Sequence, residues 1–408
     1  MSHRPMPYPR VAILHQGCVP TYRRAFYERL AIIRQRQYFV FHGEPEPGIG
    51  IATAAPPFAF EHIEVQNRFW RIFGRTLVYQ PVFTRIARGG FDALVIGHEA
   101  KYMANIALAM LFRALGKPVL LWGFGRNIDA FREFRSPIGR GIGRVVNYAQ
   151  TLMLRMATDF LAYTEAGAAH AKQAGMPEDR TTVLNNTIEL SGEIAAHASA
   201  QLLDRAALRH ELGLSAESVV LLFVGRLNAA KRVDVLIEAV QKLRAQHGAL
   251  IEVLIVGSGP EEAQLRSLAR GAAWCHFPGQ MYDTGALSRI FRMSDAVAIP
   301  GYVGLAVNHA FAHGLPVITC HSETHSPEIE YIQDGLNGLI LPSLQELGSG
   351  LLHFATSGEL RRSLAAGALR SRDKLDLQCM VDAFDSGVRR ALERSRTGCQ
   401  RNDLLETR

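Results

Sequence analysis

Val220-Leu-Leu-Phe-Val-Gly-Arg-Leu-Asn-Ala-Ala-Lys231 decides the fold class. Its first five residues are an apolar run, bounded by Gly225 and too short for a helix. Such a run reads as a strand buried on both faces. A Gly-Arg turn follows, and Arg232–Gln246 then has the 3.6-residue apolar spacing of a helix. Downstream the pattern recurs: strand Ile251–Val256 and helix Glu261–Arg270, strand Trp274–Phe277, strand Ala296–Ile299 and helix Leu305–His313, strand Val317–Thr319. Upstream, strands Val11–His15, Tyr38–Phe41, Ala93–Ile96 and Val119–Trp122 alternate with helices Tyr22–Arg34, Val82–Arg88 and Lys101–Leu115. Two such series imply an α/β fold of two doubly wound parallel-sheet domains. The expected domains are 1–190 and 191–376, divided in the polar, Ala/Ser-rich segment between Asn186 and Ser218. A last helix at about 377–395 is expected to pack back onto the first domain.

Composition narrows the class. The chain has 408 residues, 48% hydrophobic and 20% charged, which is too apolar for disorder and enough for two cores. No apolar run approaches the ~18 residues that span a bilayer. The five cysteines (Cys18, Cys275, Cys320, Cys379, Cys399) are scattered without a C-x-x-C, so a reduced, cytoplasmic protein is expected. The net charge of +7 is unevenly spread: residues 1–190 carry 23 basic against 14 acidic side chains (+9), the rest 22 against 24 (−2). A basic first half points to an anionic partner, such as lipid or a phosphorylated acceptor. No RNP-like or zinc-finger pattern supports nucleic acid.

Three loops carry chemistry in the second half. In a doubly wound sheet, ligands bind beyond the carboxyl ends of the strands, so the loops after Val224, Val256 and Ile299 are the places to search. Gly225 permits close backbone approach, while Arg226 and Lys231 can meet one anion, or be ordinary surface residues of a βα turn. Val256-Gly-Ser-Gly-Pro-Glu261 offers Gly257, Ser258 and Gly259 to a flat ligand but lacks a full G-x-G-x-x-G. In Ile299-Pro-Gly-Tyr-Val-Gly-Leu-Ala-Val-Asn-His309, Gly301 and Gly304 shape the loop and Leu305 opens a helix.

In order, these elements resemble the donor-binding half of glycosyltransferase family 4. The matching strings are Gly-Arg-Leu-x-x-x-Lys (225–231), Gly-Leu-x-x-x-His-Ala-x-x-x-Gly-x-Pro-Val (304–317), and Pro327-Glu328-Ile329 with Asp334-Gly-Leu-Asn-Gly338. The resemblance implies the GT-B architecture, two Rossmann-like domains facing a cleft. It also implies retaining transfer of a sugar from a nucleoside-diphosphate donor. It assigns the diphosphate to Arg226 and Lys231, backbone amides at Gly304 and Leu305 to the same phosphates, and Gly257–Pro260 to the base. The family usually has two glutamates eight positions apart, one on the donor sugar and one on the ribose. Here those positions are Gly301 and His309. His309 is expected to grip ribose as a neutral hydrogen-bonding group, or to pack half-buried on its helix. On the first reading His309→Glu should preserve or improve donor binding.

In the first half, Val19-Pro-Thr-Tyr-Arg-Arg-Ala-Phe-Tyr-Glu-Arg-Leu30 looks like the Pro-x-Tyr-Arg-x-x-Phe-Tyr segment of bacterial sugar-polymer transferases, and Gly17 precedes it in a loop expected at the cleft. His98 and Glu99 follow a strand end, where His98 is a candidate catalytic group or a structural histidine. Phe124 stands where related transferases usually carry a His; Trp122, Phe124 and Arg126 are candidates for acceptor contact. On the helix near Ile138–Ala157, Arg140, Arg144 and Arg155 share one face and Val145, Ala149, Leu152 and Met156 another. That reads as a solvated face over a core face, or as a membrane-surface helix on anionic lipid. Arg68, Arg71 and Arg75 around Phe69, Trp70 and Phe73 form a second basic-aromatic patch. The expected function is transfer to a membrane-associated, lipid-linked saccharide in surface-polysaccharide assembly, on the inner face of the plasma membrane. No D-x-D occurs, so neither metal nor cofactor is expected, and the basic pair would offset the diphosphate charge. A GT-B-shaped epimerase and a non-catalytic binding partner are the alternatives.

Overall fold

The structure, a computed structural model, describes residues 8–48, 51–72, 75–125, 137–248, 250–322 and 325–406; of 137–143 and 398–406 it describes the backbone alone. The chain divides into two compact units, Met1–Ile188 with Leu377–Arg408, and Glu189–Asp376.

The first unit is built on strands β1 (Arg10–Leu14), β2 (Gln37–His42), β3 (His62–Glu64), β6 (Ala93–Gly97), β7 (Val119–Gly123), β8 (Asp159–Ala162) and β9 (Thr181–Val183), with a separate antiparallel hairpin, β4 (Arg68–Ile72) and β5 (Arg75–Tyr79). The large sheet is parallel throughout and ordered β3-β2-β1-β6-β7-β8-β9. Its strands read as unbroken apolar runs because alternate residues feed two cores. Val11, Ile13, Val95, Leu120 and Trp122 enter one core; Ala12, Leu14, Leu94, Ile96 and Leu121 enter the other. The first of these cores is closed by the C-terminal helix Leu377–Glu406 through Met380, Phe384 and Val388. Asp385 of that helix accepts from Arg36 Nε and Tyr38 Oη, each at 2.6 Å.

The second unit has strands β10 (Val219–Val224), β11 (Ile251–Val256), β12 (Cys275–Gly279), β13 (Ala296–Ala298), β14 (Val317–Cys320) and β15 (Gly338–Leu341), ordered β12-β11-β10-β13-β14-β15 and parallel throughout. In both sheets the winding direction reverses beside the first strand, between β1 and β6 and between β10 and β13. That is the switch point where doubly wound sheets hold ligands. Here the loops after β10 and β13 are the two singled out for Arg226, Lys231, Gly301 and Gly304.

Candidate functional site

Three loops of the second unit mesh backbone to backbone. Gly225 N–H donates to Val256 O (3.0 Å), Leu227 N–H to Ser258 O (2.9 Å), and Glu261 N–H to Leu227 O (3.1 Å). Only glycine fits at the seams. A Cβ on Gly257 would lie 1.9 Å from Gly225 O, and one on Gly259 2.2 Å from Leu227 O. Ser258 Oγ is turned to Gln280 Oε1, an exposed pair.

Lys231 ties in the third loop. Its Nζ donates to Val303 O at 2.9 Å and stands 5.3 Å from the Tyr302 ring centroid, while Gly301 N–H donates to Lys231 O and Tyr302 N–H to Ala230 O. Arg226 is exposed at the turn after β10. The next residue after Lys231, Arg232, has a left-handed backbone (φ 55°, ψ 41°), uncommon outside glycine, and its guanidinium forks onto Asp234 at 3.1–3.3 Å. Nothing in the local residue pattern marks that position, because Arg232 has no intrinsic preference for this conformation.

In this loop Gly301 gains a steric reason, and the expectation for Gly304 changes. Gly301 offers no space for a donor-facing side chain, since a Cβ there would lie 2.1 Å from Ala230 O. Its position is filled by the backbone that carries Lys231. The Gly304 amide is engaged by Ser326 Oγ at 2.8 Å, so it is not an open phosphate donor; Gly304 instead supplies a φ of +65° beside Lys231. Leu305 begins the short helix Ala306–Ala312 as its N-cap.

His309 has a partner that the motif does not contain. Its Nδ1 lies 2.8 Å from both carboxylate oxygens of Glu193, on the helix Ser191–Gln201. A carboxylate only accepts, so Nδ1 carries the proton and Nε2 is the ring nitrogen left for a ligand. Glu193 also approaches His313 Nδ1 (3.8 Å), but that contact is not an ion pair at neutral pH. Burial pulls the pKa of His313 down to about 4, so it is neutral: Nδ1–H donates to His309 O (2.9 Å) and Nε2 accepts from Ser288 Oγ (2.9 Å). The sequence placed no carboxylate near His309. Glu193 arrives from 116 residues upstream, which only the fold brings about. The expected benefit of His309→Glu is therefore reversed, since that change would set two carboxylates against each other.

The candidates of the first unit fare differently. His98 is only 5% exposed; its Nε2–H donates to Gln150 O (3.0 Å), Gln150 Nε2 donates back to His98 O, and burial lowers its pKa. It ties β6 to the helix Pro137–Met156 and is not available for catalysis, which removes the histidine from the residue support for an epimerase. Trp122 is fully buried, stacked 3.6 Å from His15 and packed against Phe26 and Phe384, so it cannot meet an acceptor. Phe124 is likewise buried. Gly17 spends both backbone groups internally, its N–H on Tyr102 Oη (2.8 Å) and its carbonyl on Asn67 and Gly43. Arg126 and Phe73 lie outside the described residues, as does the side chain of Arg140.

Arg144 and Arg155 are exposed, and the helix Pro137–Met156 departs from the core-face reading. Val145 (68%), Tyr148 (69%) and Leu152 (41%) face solvent, while Gln150, Met153 and Leu154 pack inward. Val145, Tyr148 and Leu152 are thus open beside the arginines, while Met156 packs against the core. The β4–β5 hairpin also exposes Trp70 and Ile72 next to Arg68 and Arg71.

Comparison with known proteins agrees with this layout. Residues 218–356 match the family model described as "Glycosyl transferases group 1". D-inositol 3-phosphate glycosyltransferase of Actinosynnema mirum is 32% identical over 184 residues, 41% of this chain and 43% of that protein. The enzyme of the same name from Rhodococcus jostii is 37% identical over 132 residues, 29% of this chain and 28% of that one. The chain thus spans less than half the length of these curated relatives. Among solved structures, Anabaena Alr3699/HepE in complex with UDP aligns over 93% of this chain and 98% of its own (TM-score 0.65, 16% identity). Sucrose-phosphate synthase from Thermosynechococcus elongatus aligns over 95% and 100% (TM-score 0.66, 15% identity). WaaG, a glycosyltransferase involved in lipopolysaccharide biosynthesis, aligns over 91% and 97% (TM-score 0.62, 19% identity). Residues 218–356 are thus similar to the group 1 glycosyl transferases, and the chain as a whole has the two-sheet fold of solved glycosyltransferase structures.

Proposed function

We propose that the chain is a retaining glycosyltransferase that takes a sugar from a nucleoside-diphosphate donor held by the second unit. The observation that carries this reading is Lys231, anchored between glycine-seamed loops at the carboxyl ends of β10, β11 and β13 within the matched segment. Arg226 and Lys231 offset the charge that grows on the departing diphosphate, without a metal. The sugar–phosphate bond breaks, the acceptor oxygen bonds to the same sugar carbon, and the departing phosphate takes the acceptor's proton. His309, its Nδ1–H held by Glu193, accepts from a ribose hydroxyl through Nε2.

The acceptor we propose is membrane-associated, a lipid-linked saccharide in surface-polysaccharide assembly reached at the inner face of the plasma membrane. The exposed Val145, Tyr148 and Leu152 and the arginines of Pro137–Met156 support this reading. A small phosphorylated polyol is the second reading, prompted by the relatives named D-inositol 3-phosphate glycosyltransferase.

The test is donor binding followed by turnover. A thermal-shift panel of UDP, GDP and their sugars should single out one base, since ligand at about 100 times its Kd stabilises by about 2.7 kcal/mol. UDP is tried first, being bound in the Anabaena structure. Slow release of nucleoside diphosphate, unaffected by chelator, supports transfer; sugar isomerisation without release, or no stabilisation by any nucleotide, refutes it. Faster release on adding lipid-linked saccharide, against inositol phosphate, separates the two acceptors.

A further inference from the structure

The second unit has a cavity of about 620 Å³ at the end of the sheet opposite the donor loops. Ser294 and Asp295, just before β13, and Gly314 and Leu315, just before β14, form part of its wall. The volume falls within the ~300–1,000 Å³ of small-molecule sites. Its lining is one-sidedly cationic: Arg205, Arg292, Arg361 and Arg362 against one carboxylate, Asp295.

That carboxylate is already committed. Asp295 accepts from Arg205 (2.8 Å) and Arg209 (2.9 Å), two cations for one anion, and from Val220 N–H (2.8 Å). Among the described residues no carboxylate pairs with Arg292, Arg361 or Arg362; Asp204 acts on Arg292 only at longer range. Arg361 Nη1 donates to the carbonyls of Phe354 and Ala355, which leaves its charge uncompensated. The Nε atoms of Arg205 and Arg292 are buried and lack an acceptor. Like charge crowds here: burial, then Arg205, lowers the pKa of Arg292, and burial, then Arg372 and Arg292, keeps His197 neutral at pH 7.

Clustered like charges cost free energy in the empty protein, and an anion held among these guanidinium groups relieves that crowding. Arginine is suited to this because its planar fork matches phosphate oxygens two at a time. Leu315, Ala365 and Leu369 add apolar lining, and a volume of about 620 Å³ suits a compact molecule. We propose that this cavity is a second anion site, separate from the donor site, that binds a small molecule carrying multiply charged phosphate.

Calorimetry with inorganic pyrophosphate on the full chain tests this. Pyrophosphate would also enter a donor diphosphate site, so the titration is done in Arg226→Ala/Lys231→Ala protein. One equivalent should still bind. Adding Arg362→Glu, an exposed change, should weaken binding at least tenfold, and Arg292→Gln should do the same. Arg370→Glu, exposed on the same helix but outside the cavity lining, should leave it unchanged. No pyrophosphate binding in the donor-site variant, or binding that ignores both cavity substitutions, overturns the proposal. Thermal melting of Arg362→Glu at the native temperature confirms that loss of binding is not loss of fold.

Discussion

At Gly301 a missing side chain has a steric cause. The Ala230 and Lys231 carbonyls receive the Gly301 and Tyr302 amides and occupy the space where a Cβ would go. Gly301→Ala should therefore destabilise by about 1–3 kcal/mol, the usual cost of overpacking, and weaken nucleotide binding with it. Chemical denaturation beside calorimetry checks this, and an Ala variant as stable as the native protein would show that the loop yields freely. Arg226→Ala and Lys231→Ala should each weaken nucleoside diphosphate by about 1.5–3 kcal/mol while barely affecting the nucleoside. Equal losses for both ligands would remove the phosphate assignment. For His309, Ala should cost donor affinity about 0.5–1.5 kcal/mol and erase discrimination against the 2′-deoxy analogue. His309→Glu should bind worse than native, facing Glu193 at hydrogen-bonding range, and Glu193→Gln in that background should recover binding because an amide can donate to the new carboxylate. Native-like binding by His309→Glu alone would mean that the pair does not matter.

The helix Pro137–Met156 shows how an element's period can be legible while its orientation is not. Its amphipathic spacing is plain in the sequence, yet two apolar stripes were available. Met153 and Leu154 went inward and Val145, Tyr148 and Leu152 stayed out. Arg144→Glu/Arg155→Glu should sharply reduce binding to anionic vesicles, since each basic residue near such a surface contributes about 1 kcal/mol. High salt should do the same to the native protein. Leu152→Ser should weaken the interaction without lowering stability, as its side chain is already exposed. Co-sedimentation with vesicles of defined composition reads all three, and binding indifferent to charge and salt would exclude the helix as a membrane contact.

For the molecule as a whole, buried neutral histidines make stability depend on pH. His313 has its folded pKa lowered to about 4 from 6.5, so the unfolded chain binds a proton that the folded one refuses. Its stabilising contribution is complete above about pH 6.5 and is lost as pH falls toward 4, by up to about 1.4 kcal/mol per unit. His15 and His98, buried and lowered in the same sense, add to the slope. The midpoint of urea unfolding should fall steeply over that range, and His313→Gln should flatten it; an unchanged slope would assign the effect elsewhere. The sequence by itself determined the α/β class, the parallel character of both sheets and the order of the donor-side loops. Strands buried on both faces must be unbroken apolar runs, and loops that mesh through backbone must be glycine at their seams. Short strands such as β8 and β9 escaped it, because four or three residues hold too little pattern. Only the tertiary structure decided what became of the single side chains. Trp122, His98 and Phe124 sit at strand ends in the sequence, where either the interior or the surface could have received them, and folding buried all three. Glu193 became the partner of His309 because folding brings together residues that no local spacing relates.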